Sequence, residues 1–307
     1  MTTEVDTPAE VSSAPAGFDP GARRFAVGGT ALAVAACLGI FAPILYHMTL
    51  HWKYVPDYSH GFLVAPLAVY FAWERSDQLR RTPIDPSWWG LVPLTLGTLA
   101  LTVGRLGVEL MAMRTAFVLT LNGLVLLLLG RQVYRVLAFP LLFLFLMIPL
   151  PQSLVNVIAF PLQLIAADLA VNALHFLGIP ALREGNIIHL ANTQLFVAEA
   201  CSGLRSLMAL GTLAVVFAYF FRKNLVERLV IVASAIPIAI LVNAFRVALT
   251  GYLTHRFGND AAKGAIHQLE GFFTFGLAFA LLLFEAWLLA LLWPKTWREK
   301  TAWGTTP

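Results

Sequence analysis

The chain has 307 residues, of which 59% are hydrophobic and only 12% charged, and its mean hydropathy is +0.75. Such a composition defines an integral membrane protein, and two cysteines exclude a disulfide scaffold. The net charge of +4 reflects basic loops retained on one side of a membrane, so it is not read as a nucleic-acid-binding surface.

Residues 1–24 are rich in Pro, Ala, Ser and Thr and read as a disordered tail without a cleavable secretory signal. Eight apolar stretches follow, from Phe25 to Tyr46, His60 to Trp73, Trp88 to Gly104, Thr115 to Leu129, Val136 to Leu150, Cys201 to Phe221, Leu229 to Leu253 and Leu269 to Trp293. A helix needs about 20 apolar residues to cross a hydrocarbon core about 30 Å thick, and most of these stretches meet or approach that length. The expected fold is therefore all-α and polytopic, with about eight transmembrane helices. Its domains are a cytoplasmic tail over 1–24, a membrane domain over 25–293 and a second cytoplasmic tail over 294–307.

A ninth apolar stretch, Leu154 to Leu177, carries Asn156, Pro161, Gln163, Asp168 and Asn172 and is expected to be re-entrant or interfacial. With that segment not crossing and both termini cytoplasmic, 13 of the 21 Lys and Arg fall on the inner side and six on the outer side. Arg205 and Arg246 lie inside spans. A strand-like stretch around Asn186 to Val197 then lies on the outer side.

This topology puts three chemically capable residues at the outer side. Cys201 opens the sixth span. Arg246 lies six or seven residues before the outer end of the seventh, about 10 Å deep at roughly 1.5 Å per residue. His267 stands at the entrance of the last span. A thiolate is the attacking form of cysteine, and a helix N-terminus or nearby cation favours it. Arg205, one turn beyond Cys201, supplies such a cation. A histidine takes the thiol proton and returns it to a leaving amine, while an arginine stabilises an oxyanion.

Plainer readings stand beside these. A lone membrane cysteine is ordinarily a packing residue, and Arg205 is explained equally by pairing with Glu199, Asp168 or a lipid phosphate. Arg246 shares a helix face with Asn243 and Thr250, which marks a polar seam. His60, His189 and His255 compete with His267 for the base role, and Ser202 with Cys201 for the nucleophile. The sequence contains no His-Glu-x-x-His zinc motif, acidic pair in adjoining spans or Gly-Lys-Ser/Thr phosphate loop, so neither a metal nor a cofactor is expected.

The motifs Glu199-Ala-Cys201-Ser-Gly-Leu-Arg205-Ser, Asn243-Ala-Phe-Arg246-Val, His267-x-x-x-Gly271-x-x-x-Phe275 and Tyr58-Ser-His60-Gly-Phe together resemble those of the exosortase and archaeosortase family, multi-spanning cysteine transpeptidases. The resemblance covers residues from about 40 to 293. It implies Cys201 as nucleophile, with Arg246 and His267 completing the site and Arg205, Glu199, Asn243 and His60 in supporting or substrate-binding positions. It also implies cleavage of exported proteins at carboxy-terminal sorting tails of the Pro-Glu-Pro kind, and their transfer to a surface acceptor nucleophile. The setting it implies is the bacterial inner membrane, with the site facing the periplasm and a frequent association with exopolysaccharide genes. Two other classes remain open: a transporter or flippase for an anionic lipid-linked or polysaccharide precursor, and a structural assembly factor.

Overall fold

The computed structural model describes residues 20–191, 193–197, 203–221, 224–258 and 265–292. Among the described residues the chain is helical, with one small sheet. Its helices are α1 (Pro20–Tyr54), α2 (Gly61–Glu74), α3 (Ser76–Arg81), α4 (Leu91–Leu106), α5 (Leu110–Phe143), α6 (Gln152–Phe176), α7 (Gly203–Phe221), α8 (Leu225–Phe257) and α9 (Ala265–Leu292). The strands β1 (Ala181–Glu184), β2 (Ile187–Leu190) and β3 (Thr193–Phe196) lie between α6 and α7. Among the described residues six helices are long and apolar enough to cross a membrane, within Gly21–Tyr54, Trp88–Leu106, Leu110–Met147, Gln152–Phe176, Leu225–Phe257 and Leu269–Leu291. The polytopic all-α class is thus as expected, while the count of eight spans is not reproduced.

The chain forms two compact units. The first comprises residues 1–45 and 67–145. In it α4 and α5 form a hairpin whose second helix is capped by Glu109, the side chain of which accepts hydrogen bonds from Met111 N and Ala112 N. The expected fourth and fifth spans are the two arms of α5. They part at Gly130, where the backbone leaves helical geometry at φ 85°, and a Cβ there would lie 1.6 Å from the Asp85 carbonyl oxygen. Only glycine fits that close approach. Basic segments expected on one face of the membrane meet in this unit. Arg23 donates to the carbonyls of Leu79 and Thr82, Arg75 to that of Val136, and Arg131 stacks 5.0 Å from the Trp89 ring.

The second unit comprises residues 46–66 and 146–307. Its centre is a three-helix bundle of α7, α8 and α9. Leu210, Ala214 and Ala218 of α7 pack against Ile231, Ala235, Ala239 and Val242 of α8 and Ala278, Leu282 and Ala286 of α9. Small residues four apart place one flat stripe on each helix and allow close packing. Helices α8 and α9 run antiparallel: Ser234 bonds Glu285, while Thr250, further along α8, bonds Glu270, earlier on α9.

The expected re-entrant or interfacial segment is one unbroken 25-residue helix, α6, which excludes a re-entrant hairpin. Of the polar side chains that argued against a crossing, Asn156, Gln163 and Asp168 have partners. Gln152 donates to Asn156 at 2.9 Å, Gln163 accepts from Asn186 at 3.3 Å, and Asp168 pairs with Arg183 at 2.8 Å. Two of these three partners lie on or beside the sheet, a tertiary fact that composition does not reveal. The strand-like stretch is an antiparallel meander in the order β1-β2-β3. Its apolar face, with Ile188, Leu190 and Leu195, packs onto Ala167, Ala170, Val171 and Leu174 of α6 and onto Val247 and Ala248 of α8.

Candidate active site

The bundle and the sheet meet at the end where α7 and α9 begin and α8 terminates. Helix lengths set the level of each candidate. From Leu225 to Arg246, α8 covers 22 residues, and from Gly271 to Leu292, α9 covers 22, each about 33 Å at roughly 1.5 Å per residue. Helix α7 covers 19 residues, about 28 Å on the same measure, and begins at Gly203, two residues after Cys201 in the chain.

Arg246 is half-buried, and its guanidinium lies beside α9: a Cβ added to Gly271 would be 3.9 Å from Nη2. Gly271 is one turn beyond His267 on the same helix. Two of the four motifs named by the sequence, those that contain Arg246 and Gly271, therefore lie side by side. The polar seam on α8 is also real, since Asn243, Thr250 and Thr254 are all buried. Thr250 Oγ1 lies 3.0 Å from the Arg246 carbonyl oxygen, to which it can donate.

Sequence reasoning missed Glu270. This carboxylate is 5% exposed and receives the Thr250 hydroxyl, with Oγ1 3.0 Å from Oε2 and 3.2 Å from Oε1. Thr274 Oγ1, one turn on, donates to the Glu270 carbonyl at 2.7 Å. A buried carboxylate is costly unless it is bonded or paired. The available signal was its position, three residues after His267 and adjacent to Gly271, in an apolar helix where an acid demands an explanation.

The rest of the expected set falls differently. Glu199, Cys201 and Ser202 lie outside the described residues. Arg205 and His267 are placed by backbone only, in the first turns of α7 and α9. His60 is buried and its Nε2 lies 3.2 Å from the Leu146 carbonyl, to which it donates. Beside it Trp52 Nε1 donates to Met147 O at 3.0 Å and Tyr58 OH to Leu150 O at 3.3 Å. These three bonds join residues 52–60 to the approach of α6, and the short 3-10 helix Pro56–Tyr58 packs on α7. Of the competing histidines, His189 faces Glu184 at 3.2 Å on the sheet, and His255 is exposed in the last turn of α8. Among the described residues no group of His, Cys, Asp and Glu has the arrangement to hold a metal ion.

A bundle of membrane-length helices with a half-buried Arg beside a buried Thr and Glu at one end defines a polytopic membrane protein with a polar site built on its helix termini. The model of the transmembrane exosortase family matches residues 52–284, more than half of the sequence, and the chain belongs to that family. Membership puts it, in general, among membrane-embedded sorting transpeptidases. No curated protein and no solved structure matches the chain.

Proposed function

We propose that the protein is a cysteine transpeptidase that cleaves carboxy-terminal sorting tails of exported proteins and passes the acyl group to a surface acceptor. The observation that carries this reading is the Arg246 guanidinium beside Gly271, one turn from His267, within the family match. An arginine held at a helix junction offers fixed donors to a developing oxyanion, and the half-buried position strengthens them.

In the proposed cycle His267 takes the Cys201 proton and the thiolate adds to the scissile carbonyl carbon, with Arg246 bonding the oxyanion. Collapse breaks the C–N bond as the histidinium protonates the leaving amine, which yields a thioester. An acceptor amine or hydroxyl then gives its proton to His267 and adds to the thioester, and the collapse expels the Cys201 thiolate. Glu199, Arg205, Asn243 and His60 support the thiol, the tail or the local fold. No cofactor or metal enters the cycle.

The orientation we propose has both termini in the cytoplasm and the site on the periplasmic side. The convergence of Arg23, Arg75 and Arg131 with their loops in the first unit supports it, because basic segments stay inside. It requires α6 to lie along the outer interface. Support comes from the sheet, which is bonded to α6 from Gln163 to His175 and has strand edges that hydrocarbon does not tolerate. The stretch left before Gln163, residues 152–162, reaches about 16 Å, well short of a 30 Å core.

The test is co-expression with a tailed substrate, following tail removal for the wild type, Cys201→Ala, Ser202→Ala, Arg246→Ala and His267→Ala at matched protein levels. Loss in all but Ser202→Ala is expected. Normal processing by Cys201→Ala contradicts the reading.

A further inference from the structure

The two outer strands of the meander are treated differently. Pairing of Leu190 with Thr193 across a two-residue turn makes Leu190–Thr193 and Ile188–Leu195 the hydrogen-bonded pairs of β2 and β3, and the bond from Val197 N to Asn186 O at 3.0 Å continues that alternation. The N–H and C=O of Gln194 and Phe196 therefore point away from β2, at the open side of β3. Among the described residues they make no hydrogen bond. The same parity in β1 turns Ala181 and Arg183 outward, and that edge is partly covered: His175 Nε2 lies 2.7 Å from the Ala181 carbonyl, and the Arg183 side chain is held by Asp168.

Composition shows the same asymmetry. Exposed edges are ordinarily blunted by charge, proline or a bulge, since a bare row of backbone groups is a template for another strand. Strand β1 reads Ala-Leu-Arg-Glu and has two charges. Strand β3 reads Thr-Gln-Leu-Phe and has none, and both Gln194 and Phe196 are exposed. The unblunted edge is also the one that runs toward the reactive segment, for Phe196 is five residues before Cys201 in the chain.

We propose that the β3 edge is a docking strand for an extended peptide, the stretch of an exported protein's tail that adjoins the scissile bond. This rests on the reading of Cys201 as nucleophile. The peptide adds as a fourth strand through up to four main-chain bonds to Gln194 and Phe196, so recognition rests on extended backbone, with side-chain selectivity at alternate residues. The Phe196 ring offers an apolar contact to one of the outward-facing side chains.

The experiment uses the intact membrane enzyme and a synthetic tailed peptide in which single residues near the scissile bond are N-methylated in turn. An edge-paired peptide loses a hydrogen bond at every second residue, so KM rises about tenfold at alternate positions and changes less than about twofold between them. A flat or monotonic profile overturns the proposal. On the enzyme side Gln194→Pro removes an outward N–H and leaves the β2 ladder whole. It raises KM about tenfold relative to Gln194→Ala, while the rate of Cys201 alkylation by a small reagent stays unchanged. Equal KM for the two variants overturns the proposal. Gln194→Cys is expected to form disulfide adducts with a cysteine-bearing tail; disulfide-linked dimers in their place assign the edge to a second copy and also overturn it. A flat N-methyl profile with an inactive Cys201→Ala leaves the catalytic reading standing, whereas an active Cys201→Ala removes that reading itself.

Discussion

Arg246 and Gly271 face each other across α8 and α9 so closely that a methyl group on the glycine would stand 3.9 Å from the guanidinium. That distance is an ordinary van der Waals contact, so space remains for a methyl group but not for a branched side chain without moving the arginine. Gly271→Ala is expected to fold and retain processing within about threefold, while Gly271→Leu loses about 100-fold by displacing the oxyanion donor. Rates of tail removal at matched membrane levels check the series. Equal activity of both variants would separate Arg246 from the chemistry.

Glu270 and Thr250 make a different prediction. Thr250→Val removes the hydroxyl that bonds a carboxylate 5% exposed, and it is expected to cost about 1–3 kcal/mol of stability. Thr250→Ser restores the bond. Thermal unfolding in detergent, compared for Val and Ser, reads the hydroxyl separately from the methyl group. A Val variant as stable as Ser would show the bond to be without consequence.

His60 is expected to behave as a fold-supporting residue and not as a base. Its Nε2 is engaged by the Leu146 carbonyl, and its neighbours Trp52 and Tyr58 bond the same chain segment. His60→Gln, which keeps an N–H donor, is expected to retain processing within about threefold, and His60→Ala to lose about 1 kcal/mol of stability. His267→Gln is expected to be inactive. Abolished processing in a stable His60→Gln would transfer the proton-moving role to His60.

Gly130 offers a test of the first unit. A Cβ there would fall 1.6 Å from the Asp85 carbonyl oxygen, at a φ of 85° that side-chain-bearing residues avoid. Gly130→Ala is expected to cost about 3 kcal/mol or more and to lower membrane accumulation, whereas Gly211→Ala, with nothing within 4 Å of the added atom, is close to neutral. Expression level and unfolding midpoint decide it.

What the sequence made legible follows the range of each physical cause. Apolar runs and flanking basic residues are local, and the described residues of the expected apolar stretches are mostly helical, with a break at Gly130 inside α5. Periodicity on one helix is also local, which is why the seam of Asn243, Arg246 and Thr250 was visible. Pairing between elements is not. The polar residues of α6 argued for a re-entrant segment because their partners Arg183 and Asn186 come from a sheet that four-residue strands barely announce. Arg246 was placed seven residues before the end of its span, which was set at Leu253. The helix runs to Phe257, and the sheet packs beside Val247 and Ala248. Glu270 was overlooked for a similar reason, since its partner Thr250 is on another helix.

The central claim concerns a bond to sulfur. Wild-type enzyme mixed with a tailed substrate and quenched within one turnover should yield a peptide containing Cys201 whose mass is raised by the substrate acyl group, and hydroxylamine should release that group as expected for a thioester. An acyl group on Ser202, or complete processing with no adduct on Cys201 at any time, would contradict the account.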